Sequence, residues 1–240
     1  MNRPDTTRNP DQLRNIKMTP GFVGSADGSV LIECGRTRVL CNATLLPEVP
    51  KWMAGKGKGW VTAEYSLLPQ STNERVDRER KSLSGRTQEI QRLIGRSLRA
   101  AMDLRALGER QLIVDCDVIE ADGGTRTASI VGGFVALALA LQKIKARDGI
   151  EGQMMTRVIS AISVGQLDHV PLLDLCYIED SKADVDMNVV MADASSYVEV
   201  QGTGEHSTYT RSEMNAMLDL AEKACRELQE MQMKIIGKLP

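Results

Sequence analysis

The sequence predicts an α/β protein made of duplicated βα units with mixed sheets covered by helices, and three observations carry that expectation. Strand-like and helix-like segments follow one another as strands then helix, strand then helix, strands then helix. At the centre, Leu112–Ile119 alternates with Leu112, Val114, Cys116 and Val118 on one face. Ser129–Lys145 then carries Ile130, Phe134, Leu137, Leu141 and Ile144 at helical spacing. Finally, 240 residues suffice for one sizeable core, single or internally duplicated.

Along the chain, residues 1–20 are polar and proline-marked, with Arg3, Arg8, Arg14 and Lys17, and read as an ordered arm or a frayed end. Asp27-Gly28 opens a hairpin of Ser29–Cys34 and Arg38–Leu45 around Gly35-Arg36-Thr37. A Gly/Lys loop, Gly55–Gly59, leads into a strand over Trp60–Tyr65. Residues 70–85 lack apolar periodicity and alternate Arg75, Arg78, Arg80 and Lys81 with acids. A helix is expected from about Thr87 to Leu107, burying Ile90, Leu93, Ile94, Leu98, Ala101 and Met102 and placing Arg92, Arg96 and Arg99 on one outer face.

In the second half, Val158–Leu167 and Leu172–Ile178 read as strands joined at Asp168-His169. Met187–Met191 and Tyr197–Val200 read as a pair joined across Asp193. Thr210-Arg211-Ser212-Glu213 is a capping-box pattern that starts a last helix burying Met214, Met217, Leu218, Ala221, Cys225 and Leu228.

Composition narrows the chemistry. A hydrophobic share of 42% and a charged share of 26% are ordinary for a globular protein. No apolar run of membrane-spanning length and no signal-like start are read, so no membrane is expected and the cytoplasm is the default. The five cysteines include no CxxC pair and read as buried thiols. Of the two histidines, His169 falls in a turn and His206 in a polar loop, which argues against a catalytic histidine or a His-rich zinc site. A net charge of -2 hides a basic stretch over 74–110, ten Lys or Arg against six acids, that suits a localised anionic partner.

Three clusters suit phosphate chemistry. Between the central strand and helix lie Gly123, Gly124, Thr125, Arg126 and Thr127, where flexible backbone, hydroxyls, a guanidinium and helix-start N–H groups converge into an anion cradle. A Gly-Gly there is also a common plain turn. Arg86, at the entrance of the first helix, opposes the helix dipole, so it either extends away or is held by an anion. Glu179-Asp180-Ser181-Lys182-Ala183-Asp184-Val185-Asp186 offers oxygen ligands for Mg²⁺ or a proton donor; a solvated acidic turn is the plain alternative.

These stretches resemble the ribonuclease PH family: Gly28–Cys41, Gly55–Pro69, Gly85–Ala100, Asp115–Ser129, Glu179–Val190 and Glu199–Glu205, from about Asp11 to the final helix. The resemblance implies the ribosomal protein S5 domain 2-like fold in one domain over 1–240, with a polar arm over about 1–12, assembled as a homo-hexamer, a trimer of dimers. It implies a phosphate-dependent 3′-to-5′ exoribonuclease, a tRNA nucleotidyltransferase, that trims tRNA precursors and releases nucleoside diphosphates. Arg86, Gly124, Thr125 and Arg126 match the family's phosphate-binding positions. Asp180 and Asp186 match aspartates that serve catalysis and bind Mg²⁺ or Mn²⁺, while Asp184 falls where the family varies. Arg75 and Arg78 match family arginines and, with Arg80, would guide RNA. Two departures stand out: Gln70 where arginine is usual, and Asp5-Thr6-Thr7-Arg8 in the arm.

Overall fold

The computed structural model describes Arg3 and residues 8–240. The departure at Asp5 to Thr7 lies outside the described residues. The first sheet contains β1 (Ile16–Pro20), β2 (Gly28–Cys34), β3 (Thr37–Leu46), β4 (Trp60–Leu67) and β5 (Gln111–Glu120) in the order β1-β2-β3-β5-β4. It is antiparallel except for β4 and β5, which run parallel and are joined through α1 (Gly85–Arg99) and the single turn α2 (Leu104–Leu107). The second sheet, of β6 (Ile159–Leu167), β7 (Val170–Leu173), β8 (Val185–Ala192) and β9 (Ser196–Gly204), has the order β7-β6-β8-β9 and is antiparallel throughout.

Between the sheets runs α3 (Thr125–Asp148), which packs on β2, β3 and β5 of the first sheet and on β6 of the second. That placement accounts for its sequence: apolar on nearly every face, it is covered from both sides. It is long and apolar enough by length and composition to cross a membrane, which corrects the reading that no run is, yet it is the buried centre of the core. The closing helix, α5 (Arg211–Ile236), starts from the Thr210–Glu213 capping box and covers β6, β7 and β8. Residues of both sheets join one apolar cluster, so the halves share a core.

Several boundaries differ from the sequence reading, and four of the differences have a visible physical reason or consequence. The supposed arm contains β1, an edge strand whose Ile16 and Met18 pack on the core. The helix expected through Leu107 stops at Arg99. There the backbone bonds sideways, with Asp103 N–H donating to Met154 and Thr156 N–H donating to Ala101, and the Asp103 side chain caps α2 afresh. The strand expected through Ile178 ends at Leu173, because Asp174 turns the chain at φ 55° and Cys176 starts the one-turn helix α4 (Tyr177–Asp180). Lastly, α3 begins at Thr125, four residues before the apolar periodicity.

Candidate active site

The turn from β5 into α3 is built on two left-handed residues, Gly123 at φ 79° and Gly124 at φ 66°. A Cβ on Gly123 would come within 2.5 Å of the Leu175 carbonyl, so glycine is needed for space as well as for dihedral. The carbonyls of this turn are held from behind. Thr37 accepts from Asp122 N–H (2.9 Å) and donates to the Gly123 carbonyl (2.7 Å), and Arg14 donates to the Asp122 carbonyl at 2.6 Å. At the front, α3 starts without a side-chain cap, which leaves its first-turn N–H groups free for an anion. The Thr125 hydroxyl lies 2.9 Å from the Tyr65 hydroxyl.

Beside this turn opens a cavity of about 550 Å³, and it brings together six of the predicted residues: Arg86, Gly124, Thr125, Arg126, Asp180 and Asp186. Arg86, in the first turn of α1, lines this cavity with no hydrogen bond or ion pair to any described residue. Arg126 is half-engaged: it donates to Gln201 (3.2 Å) and stands 3.5 Å from Glu89, partners that an incoming anion would replace.

The acidic run sorts into distinct roles. Glu179 is buried and takes both arms of Arg3 at 2.7 Å, a structural pair. Asp184 accepts from the Asp168 N–H at the β6–β7 turn and does not line the cavity. Asp180 closes α4 and Asp186 is the second residue of β8, and both face the cavity. Burial raises the Asp180 carboxyl against the pull of Arg126 and Arg86. Burial, reinforced by the charge of Asp180, lifts Asp186 to about 6. The Asn188 amide N–H donates to Asp186 Oδ2 at 3.5 Å; the two carboxylates are hard oxygen donors of the kind Mg²⁺ or Mn²⁺ takes, and among the described residues no third His, Cys, Asp or Glu completes a cluster with them.

The remaining predicted residues lie elsewhere. Arg75, Arg78 and Arg80 stand on the loop before α1 and line a separate open cavity of about 600 Å³ rather than the first one. Arg78 and Arg80 also face Asp115 and Asp117. Of the arginines on the outer face of α1, Arg96 pairs with Glu199 at 2.6 Å and Arg99 stacks on Trp60. Gln70 is exposed and bonds back to the Thr72 carbonyl.

Several contributors had no legible signal. Arg14, in a patternless polar stretch, is buried against Asp174 at 2.7 Å. Ser163, Asn188 and Gln201 form a polar row across β6, β8 and β9 on the cavity floor, which only the register of the sheet creates. His206, set aside as a loop residue, stands at the cavity's rim.

Two family models match: the 3′ exoribonuclease family, domain 1, over residues 12–142, and its domain 2 over residues 157–224. The chain belongs to the ribonuclease PH family. It is 56% identical over 229 residues to Ribonuclease PH of Bdellovibrio bacteriovorus, covering 95% of this chain and 94% of that protein. With Ribonuclease PH of Syntrophomonas wolfei it shares 54% over 239 residues, covering 99% and 100%. Among solved structures, the Archaeoglobus fulgidus exosome with RNA bound to the active site matches at TM-score 0.80 and 20% identity, covering 96% of this chain and 92% of that one. Rice Rrp46 matches at 0.77 and 18%, covering 95% and 98%. At these identities the two structures confirm the ribonuclease PH fold alone.

Proposed function

We infer that the cavity between the α3 start and β8 is the seat of phosphorolysis. The protein is a phosphate-dependent 3′-to-5′ exoribonuclease acting on tRNA. One observation supports the site reading above others: the unpartnered Arg86 and the glycine-threonine-arginine turn face the same cavity as the raised carboxyl pair Asp180 and Asp186. A cationic half and an anionic half within one space suit a phosphate nucleophile attacking a phosphodiester.

Inorganic phosphate would bind the α3-start N–H groups, Thr125, Arg126 and Arg86, with Arg126 exchanging Glu89 and Gln201 for the anion. Phosphate is itself the nucleophile, so no histidine base is required. A phosphate oxygen bonds to the phosphorus of the last phosphodiester, the bond to the 3′ oxygen of the preceding nucleotide breaks, and a nucleoside diphosphate leaves. The arginines offset repulsion between the two anions, and the departing 3′ oxygen takes a proton. One of the two carboxylates, Asp180 or Asp186, supplies that proton when it is not ligating the metal. Asp180 and Asp186 would hold Mg²⁺ or Mn²⁺, which supplies charge neutralisation on the reacting phosphates.

Arg75, Arg78 and Arg80, exposed on the loop before α1, suit contacts to the RNA backbone that are blind to sequence and sensitive to salt. Residues 1–240 are read as one catalytic domain of two βα halves, working in the cytoplasm on precursor 3′ ends as a subunit of a homo-hexameric ring.

The test is incubation with a 3′-extended tRNA and Mg²⁺, with and without inorganic phosphate, resolving the released nucleotides by chromatography. Nucleoside diphosphates appearing only with phosphate are expected. Monophosphates released without it would replace phosphorolysis by hydrolysis.

A further inference from the structure

Two tyrosines line the catalytic cavity, and they are placed very differently. Tyr65 is 4% exposed, with its hydroxyl engaged by Thr125, so neither of its ring faces is open. Tyr177 is 56% exposed. It opens α4, the single helical turn that ends at Asp180. Residues three apart on a helix are neighbours, with Cβ atoms about 5–6 Å apart, and Tyr177 and Asp180 both line this cavity.

The backbone beneath that ring is fixed. Tyr177 N–H donates to Asp122 Oδ1 at 3.3 Å, and the 175–177 segment packs so closely on Gly123 that a Cβ there would lie 2.9 Å from Tyr177 N. Glu179 closes the same turn by accepting from the Cys176 N–H (3.0 Å) while its carboxylate is held by Arg3. An exposed aromatic on a braced turn, directly between the phosphate loop and the carboxylates, is a prearranged flat surface.

We propose that Tyr177 is the stacking platform for the base of the 3′-terminal nucleotide. Tyr177 and the phosphate loop, on which the diphosphate product would be held, line the same cavity, so the base within the ring's reach is that of the nucleotide being released. A π-face accepts any base, which is what an enzyme removing successive, differing nucleotides requires. Tyr177 positions substrate and takes no part in bond making. The inference rests on the phosphorolytic reading of the cavity.

The experiment compares wild type, Tyr177→Ala and Tyr177→Phe on an RNA with an ordinary 3′ end and on the same RNA ending in an abasic nucleotide. The KM values for RNA and for phosphate are measured separately by release of the terminal residue, a nucleoside diphosphate from the ordinary end and ribose 5-diphosphate from the abasic one. Tyr177→Ala should raise the RNA KM about tenfold, the order expected for loss of one base stack. The phosphate KM should stay unchanged, and Tyr177→Phe should restore the RNA value. On the abasic RNA, wild type and Tyr177→Ala should have the same KM. An unchanged RNA KM in Tyr177→Ala, or an alanine penalty of full size on the abasic RNA, would overturn the assignment while leaving phosphorolysis standing. A wild type whose release is independent of phosphate would overturn both.

Discussion

Asp186 and Arg86 carry opposite burdens. The Asp186 carboxyl is raised from 3.8 to about 6, so the folded protein keeps this proton across a window in which the unfolded chain has lost it. Stability contributed by this group therefore falls as pH rises through that window, and the charged form costs stability above it. With divalent metal chelated, Asp186→Asn should be more stable than the parent near pH 8 in denaturant melts, the difference shrinking as pH falls through about 6 and vanishing below the unfolded value of 3.8. Its turnover should fall about 10²–10⁴-fold, the usual worth of a positioned proton-transfer group. Arg86, exposed and unpaired, holds nothing in the fold. Arg86→Ala should leave the melting curve within about 0.5 kcal/mol. It should raise the phosphate KM about 10- to 100-fold, the value of a hydrogen bond to a charged group. Both residues were visible in the sequence because each violates a local preference, an arginine at a helix start and carboxylates crowded between strands. Arg14 violates none, and its role appears only once Asp174 has been brought to it.

At the level of elements, α3 shows how a helix is fitted to its place. Gly132 faces β2 and β3, and a Cβ there would stand 2.7 Å from Ile32 Cγ2 and 2.9 Å from Cys41 Sγ. Alanine normally favours a helix over glycine by about 1 kcal/mol, but overpacking a core costs about 1–3 kcal/mol. Gly132→Ala should accordingly destabilise, by up to about 2 kcal/mol in chemical denaturation, reversing the usual sign. The alternation of β2, β3 and β5 and the spacing of α3 and α5 were legible because burial on one or all faces writes itself into periodicity. The end of α1 was not, since nothing local distinguishes Ala100–Asp103 from a continuing helix until residues 154–156 claim its backbone. The 174–180 segment was misread for a related reason: Leu172 and Leu173 belong to a strand, but Leu175, Ala183 and Leu172 form a small apolar cluster of their own, so hydrophobicity persists past the strand end.

Across the whole molecule, the halves are joined by a shared core and by a buried ion pair. Burial alone would raise the Asp174 carboxyl, but Arg14 and its hydrogen bonds outweigh that and hold it below the ordinary carboxylate value. Its contribution is therefore present above the unfolded value of 3.8 and lost as pH falls through the lowered folded one, the reverse of Asp186. Asp174→Asn leaves the Arg14 cation buried without its counter-charge and should cost about 3–5 kcal/mol at neutral pH, read from the denaturation midpoint. The family, and with it the two-half architecture, was legible from stretches spread along nearly the whole chain. Which residues clasp one half to the other was not, because the partners are far apart in sequence and neither lies in a repeating pattern.

The clasp also sets an order on synthesis. Arg14 and Asp174 are 160 residues apart, an interval the ribosome takes about 8–32 s to cover at ordinary elongation rates. Through that interval the first sheet can pair and the glycine turn can form, but one of the two donors behind its carbonyls lacks its counter-ion, and the carboxylates at 180 and 186 do not yet exist. A nascent chain therefore presents no working centre to the RNA around it, its own message included, until the second sheet emerges and closes on the first.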